Sequence, residues 1–162
     1  MFKKSSQKIL LGFFIVIFIF AFDRISKLYI LNLIEKDELV NIYINQFLNF
    51  HMIWNTGIGF GLFSSESHFY YNLITFLIIL INIIILVMIF KYKNYKSFLL
   101  LMILGGSLGN LFDRFYYKAV PDFIDLHYNS FHWFIFNVAD IFITLGVIIL
   151  IFVELLLNKK EN

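Results

Sequence analysis

The stretch FYYNLITFLIILINIIILVMIF, Phe69–Phe90, decides the fold class. Only Asn72, Thr75 and Asn82 interrupt its apolar character, and it carries no charge. As a helix it reaches roughly 33 Å at 1.5 Å per residue, enough to cross a hydrocarbon layer of about 30 Å. Working outward, three further stretches have comparable length and composition: Ile9–Leu33, Phe98–Tyr117 and Trp133–Leu157. The sequence therefore predicts a single domain over residues 1–162, a membrane all-α bundle of four transmembrane helices. Composition agrees, with 60% hydrophobic and 15% charged residues where soluble domains hold about 45–50% and about 25%. Lipid must be part of the solvent.

The first stretch begins after Lys3, Lys4 and Lys8, as a secretory signal peptide would. No small-residue cleavage site follows it, so it reads as a retained anchor. Lysines also set the orientation. Lys91, Lys93 and Lys96 lie between the second and third stretches, and Lys159 and Lys160 follow the fourth. With four spans all three basic segments fall on one side, which the positive-inside rule makes cytoplasmic, both termini included. Arg24, Lys27, Lys36, Arg114 and Lys118 are left for the other side, most of them beside carboxylates.

Two outward segments remain. In residues 34–68, Leu39–Ile44 and Phe47–Trp54 have strand-like β-branched and aromatic content before a glycine-rich stretch, which predicts a small extracytoplasmic β-sheet or cradle at the membrane surface. Residues 118–132 read as a short polar loop in which Pro121 discourages helix. The formal net charge is +2 and the basic residues are scattered, unlike the basic face that nucleic acid requires. The chain has no cysteine, which excludes disulfides, thiolate metal ligands and a cysteine nucleophile.

Ionisable groups inside a membrane span are costly and mark function by default. Here they gather near the outward ends. Asp23 and Lys27 stand at i,i+4 on the first helix, and by themselves suit an ion pair anchored at the headgroups. The third stretch carries GGSLGNLFDR, Gly105–Arg114. Gly105 and Gly109 have the small-xxx-small spacing that lets membrane helices approach closely, while Ser107, Asn110 and Arg114 form one polar stripe. Val120-Pro121-Asp122-Phe123-Ile124-Asp125 follows in the loop, and Phe136-Asn137-Val138-Ala139-Asp140 opens the fourth span. Counted from Trp133, Asp140 lies roughly 10 Å into that helix. Two carboxylates on separate elements could share one proton and perform acid–base chemistry on an amide. On spacing alone, a structural Asp–Arg or Asp–Lys network fits equally well.

Taken in order, five blocks resemble lipoprotein signal peptidase, the type II signal peptidase of bacteria: Asp23–Lys27, Asn55–Gly61, Gly105–Arg114, Val120–Phe123 and Phe136–Asp140. The resemblance implies an intramembrane aspartyl endopeptidase that removes the signal peptide of a prolipoprotein just before a diacylglyceryl-modified cysteine. It makes Asp122 and Asp140 the catalytic pair. Asn55, Gly57, Asn110, Arg114 and Asn137 would line the site and hold peptide backbone or orient the acids, with Asp23 and Lys27 in support. It implies no cofactor and no metal, prolipoprotein and membrane lipid as partners, no nucleic acid, a monomer, and a site near the outer face of the bacterial cytoplasmic (inner) membrane. The chain departs from the commonest pattern at Ile58-Gly59 and at Pro121.

Three other readings are weaker. Asp125 with His127 and His132 invites zinc, but Asp125-x-His127 supplies two ligands without a clear third or fourth; His51 and His68 read as interfacial. A transporter or channel subunit using Asp23, Arg114, Asp122 and Asp140 would want ionisable groups through the membrane depth, whereas the cytoplasmic halves are almost purely apolar, with only Glu154 near the last exit. A structural assembly subunit would leave the two acids unexplained. The charge bias predicts that reporters fused after Lys93 or Asn162 are cytoplasmic and that one inserted near Glu66 is external; an external reporter at Asn162 would overturn the four-span topology.

Overall fold

The computed structural model describes residues 2–34, 41–57, 68–92, 95–129 and 131–158. Four helices and a four-stranded sheet follow in the order α1 (Phe2–Ile34), β1 (Asn41–Asn45), β2 (Leu48–Asn55), α2 (His68–Lys91), α3 (Tyr95–Tyr117), β3 (Val120–Tyr128), β4 (Phe131–Phe136) and α4 (Val138–Asn158). By length and composition α2, α3 and α4 can each cross a membrane. Large apolar side chains such as Phe13, Phe18, Phe76, Val87 and Phe152 stand exposed on the helices, a surface that suits lipid contact rather than water.

Helix α3 is the centre and packs against each of the other three. Its glycines decide how closely. A β-carbon at Gly105 would lie 3.0 Å from Ile19 Cβ and one at Gly109 would lie 2.5 Å from Asp23 Oδ2, so this face receives α1. Gly106 faces α4 instead, where a β-carbon would meet the Ala139 carbonyl oxygen at 2.6 Å. The expected Gly105/Gly109 pair is therefore a packing device, and Gly106 extends it to a second partner. Below the sheet, Ile30, Phe123 and Val138 form an apolar cluster that joins α1, β3 and α4.

The sheet is antiparallel in the order β1-β2-β3-β4. The two strands expected in residues 34–68 are present as β1 and β2. Residues 118–132 are not the polar loop that their composition suggested: most of them form β3, which pairs along the whole of β2 from Leu48↔Leu126 to Asn55↔Val120. Pro121 fits within this strand because β4 begins pairing only at Ile124↔Phe136, which leaves one side of Pro121 without a neighbour and makes it locally an edge residue. Lys118, with φ 61°, turns the chain out of α3 in a left-handed cap.

A second correction concerns the fourth span. Trp133–Phe136 is strand, and the helix starts at Val138. Asp140 therefore lies in the first helical turn, not two turns deep. Apolar content alone could not separate a β4 of Phe-His-Trp-Phe-Ile-Phe from the start of a span, since short apolar runs are ambiguous between strand and helix. Ile58, Gly59, Lys36, Glu66 and Lys93 lie outside the described residues.

The close α3–α4 contact gives a test. Gly106→Ala must push backbone against backbone, and overpacking of that kind costs about 1–3 kcal/mol. The thermal midpoint of the purified protein should fall. Gly12→Ala should be tolerated, because its nearest neighbour is the flexible end of Leu101, 3.3 Å away.

Candidate active site

The start of α4 is built by a reciprocal cap. The Asp140 N–H donates to Asn137 Oδ1 at 3.1 Å, and the Asn137 N–H donates to Asp140 Oδ2 at 3.2 Å. Asn137 is thus the N-cap and Asp140 the third helical residue, the arrangement of a capping box with asparagine and aspartate in the two roles. The next free donor, the Ala139 N–H, is taken by Asp23 Oδ1 of α1 at 2.9 Å. Both carboxylates thus accept from backbone N–H groups at the first turn of α4.

Asp122 arrives from β3 and is fully buried. Asn137 Nδ2 donates to its Oδ1 at 2.6 Å and Asn55 Nδ2 donates to its Oδ2 at 2.8 Å. Asn137 therefore touches both acids, its amide on one and its backbone on the other. Burial, reinforced by the nearby negative charge of Asp140, pushes the Asp122 carboxyl up from 3.8 to about 7. Asn55, Asn110, Arg114, Asp122, Asn137 and Asp140 line a small cavity of about 40 Å³ together with Ile78 and Val120. That is room for on the order of one to three waters.

The rest of the site is held by buried charge. Lys27, with none of its surface exposed, donates to Asp23 Oδ2 at 2.8 Å, Asn110 Oδ1 at 2.8 Å and Asp113 Oδ2 at 2.7 Å. All three ammonium protons are thereby used. Asn110 in turn donates through Nδ2 to Asp140 Oδ1 at 2.8 Å. Arg24 pairs with the other oxygen of Asp113 and lies 4.8 Å over the Phe112 ring. Arg114 donates to the Gly57 carbonyl, and the Gly57 N–H donates to Asn55 Oδ1 at 2.8 Å. The Asn55-Thr56-Gly57 turn is fixed from both sides.

Asp23, Lys27, Asn55, Gly57, Asn110, Arg114, Asp122, Asn137 and Asp140 are thus brought into one network. Ser107 shares the expected stripe but is not among the residues that line the cavity. The sequence reading missed Asp113, although its i,i+3 spacing from Asn110 puts both on one helical face. It also missed Tyr71, whose hydroxyl donates to the Arg114 carbonyl at 2.6 Å and whose ring lies 5.4 Å from the guanidinium; nothing in an apolar span distinguishes that tyrosine. Asp125 stands apart from the cavity and accepts from His132 Nδ1 at 2.9 Å.

Comparison with known proteins gives one consistent result. Residues 15–156 match the family described as signal peptidase (SPase) II. The chain is 52% identical over 160 residues to a lipoprotein signal peptidase of Pelagibacter ubique (strain HTCC1062), covering 99% of this chain and 96% of that protein. It is 37% identical over 160 residues to one of Anaplasma phagocytophilum (strain HZ), covering 96% and 99%. The fold is similar to that of a bacterial membrane enzyme determined by the in meso method, with a TM-score of 0.69 and 26% identity over 94% of this chain and 91% of that one.

Removal of the central cation provides a test. Lys27→Met keeps much of the volume but leaves Asp23 and Asp113 short of a buried partner, a loss worth about 3–5 kcal/mol. The thermal midpoint in detergent should drop on the order of 10 °C. An unchanged midpoint would mean that Lys27 does not carry those charges.

Proposed function

This chain belongs to the signal peptidase II family, and we propose that it is an aspartyl endopeptidase that removes signal peptides from prolipoproteins in the bacterial cytoplasmic (inner) membrane. The cut falls immediately before a diacylglyceryl-modified cysteine. Helix α1 serves as the fourth span: it has 33 residues, and apolar side chains such as Phe13, Phe14, Phe18 and Phe22 face outward while Asp23, Arg24 and Lys27 are buried. Both termini are cytoplasmic, and the sheet and acids lie toward the outer face. The acylated cysteine then reaches the site from the outer leaflet, and the enzyme works as a monomer.

One observation carries the catalytic assignment: Asn137 hydrogen-bonds Asp122 and Asp140 at once, in a cavity with room for water. The two acids share one proton at rest, and burial beside Asp140 raises the Asp122 carboxyl to about 7. Asp140 is held at the start of α4 and linked through Asn110 to Lys27. With substrate bound, Asp140 takes a proton from water as the oxygen attacks the scissile carbonyl, and Asp122 donates to the carbonyl oxygen. Proton transfer to the departing amine then lets the C–N bond break, giving a carboxyl and an amine. Asn55 and Arg114 line the cavity with donors that can hold peptide backbone. No step requires a nucleophilic side chain or a metal.

Two expectations follow. Asp122→Asn or Asp140→Asn should each reduce turnover of lipidated precursor by at least about 10²–10⁴-fold, the usual worth of general acid–base catalysis. The double variant should add little, since the acids act as a unit. Asp125→Asn should cost far less, and unlipidated precursor should be cut poorly by every form. Folded, membrane-inserted variants in which Asp125→Asn was inactive and Asp122→Asn active would sink the assignment.

The second expectation concerns pH. The reaction uses the singly protonated pair, so kcat/KM should fall as pH rises through about 7, where Asp122 loses its proton. Stability follows the same sign. The folded acid keeps its proton to higher pH than the ordinary value of 3.8, so raising pH through that window weakens the fold. A flat profile of kcat/KM between pH 6 and about 9 would contradict a shared proton.

A further inference from the structure

The pair Asp125-x-His127 lacked a third ligand in the sequence, and the sheet supplies one. Asp125 and His127 stand two residues apart on β3, with a register irregularity between them. The antiparallel register sets His132 of β4 directly across from His127. One ligating atom from each of the three residues lies within 4.8 Å of the others. The imidazole rings stack with centroids 5.3 Å apart. None of the three belongs to the cavity that holds Asp122 and Asp140.

The hydrogen bonding of this cluster is incomplete. His132 Nδ1 lies 2.9 and 3.1 Å from the two Asp125 oxygens, so that pair is satisfied. His127 Nδ1 is buried with no hydrogen-bond partner among the described residues, on a side chain only 9% exposed. It lies 4.0 Å from Asp125 Oδ2, too far for a hydrogen bond yet aimed into the same cluster. Buried polar atoms are nearly always satisfied, and an orphan calls for an occupant.

The spacing identifies the occupant. Zinc binds imidazole nitrogen and carboxylate oxygen at about 2.0–2.2 Å in a tetrahedron, which sets ligand atoms roughly 3.4 Å apart. The observed 2.9 and 4.0 Å to Asp125 fall on either side of that value. Side-chain rotations that bring the three atoms from within 4.8 Å of one another to that spacing would close the set. His132, 56% exposed, can make most of that movement, and the exposed side leaves the fourth position to water. Two imidazoles and a carboxylate favour zinc over calcium or magnesium, which prefer all-oxygen shells.

We propose that Asp125, His127 and His132 form a zinc site that clamps the β3–β4 hairpin and takes no part in peptide cleavage. The hairpin runs from this cluster to Asp122 on one strand and to Asn137 after the other, so the clamp steadies the strands that carry the acid pair. The proposal does not depend on the assigned peptidase chemistry.

The test uses untagged full-length protein in detergent, stripped of metal and titrated with Zn²⁺ against a chromophoric chelator. One equivalent should bind. Affinity should fall at least about tenfold in His127→Ala and in His132→Ala, while His51→Ala and His68→Ala bind as the parent does. Zn²⁺ should raise the thermal midpoint of the parent and not of His132→Ala, whose side chain is largely exposed and whose metal-free melt checks that the variant folds. Co²⁺ in place of Zn²⁺ should give the visible absorption of a tetrahedral site. Parent protein that binds no more Zn²⁺ than the His127→Ala/His132→Ala double variant would overturn the site. Turnover lost on chelation and restored by Zn²⁺ would overturn its separation from cleavage.

Discussion

The structure depends on one buried ammonium. Lys27 has no surface in contact with solvent, and a bare cation in such a place would be untenable at several kcal/mol of lost hydration. Three acceptors from two helices remove the problem: Asp23 on its own helix, and Asn110 and Asp113 on α3. Each acceptor then has a second obligation. Asp113 holds Arg24, Asn110 holds Asp140, and Asp23 caps Ala139. A single charge therefore fixes the mutual positions of α1, α3 and the first turn of α4. Gly109 makes this possible, because any side chain there would occupy the space of the Asp23 carboxylate.

The helices and the sheet divide the work of placing the two acids. Asp140 is set by helix termini, through the cap from Asn137 and the link to Asn110. Asp122 is set by strand register, with Ile53 as its partner on β2. Asn137 connects the two systems because it is both the residue after β4 and the N-cap of α4. Its side chain cannot serve Asp122 unless β4 ends where it does.

Much of this was legible from residue type and spacing. Long apolar runs gave α2 and α3 within a few residues, since lipid-facing helices obey a single length and composition rule. The polar residues gathered at one end of the apolar stretches marked the candidate site, because lipid leaves few reasons to keep them. Two features were not legible. Trp133–Phe136 is as apolar as a span and forms strand only because β3 is there to pair with it, a non-local cause. Asp140 was consequently placed about two turns into the helix rather than in its first turn. The partnership of Asp113 with Arg24 and Lys27 was hidden for a similar reason, as Asp113-Arg114 reads locally as a self-contained pair while the two side chains turn to different helices.

Counting buried charge gives a further constraint on the proposed chemistry. Among the described residues Asp23, Asp113, Arg24 and Lys27 are buried and linked by the ion pairs above, and their formal charges sum to zero. Asp125 lies outside the cavity with His132 as its partner. The cavity itself then holds Arg114 against Asp122 and Asp140. With one proton on the acid pair these three groups are also neutral; with none they carry a net negative charge in a poorly solvated place, and with two a net positive one. Uncompensated buried charge is the more costly state on either side. The surroundings thus favour the single shared proton that acid–base cleavage requires, and they do so through Arg114, a residue that need not itself exchange a proton.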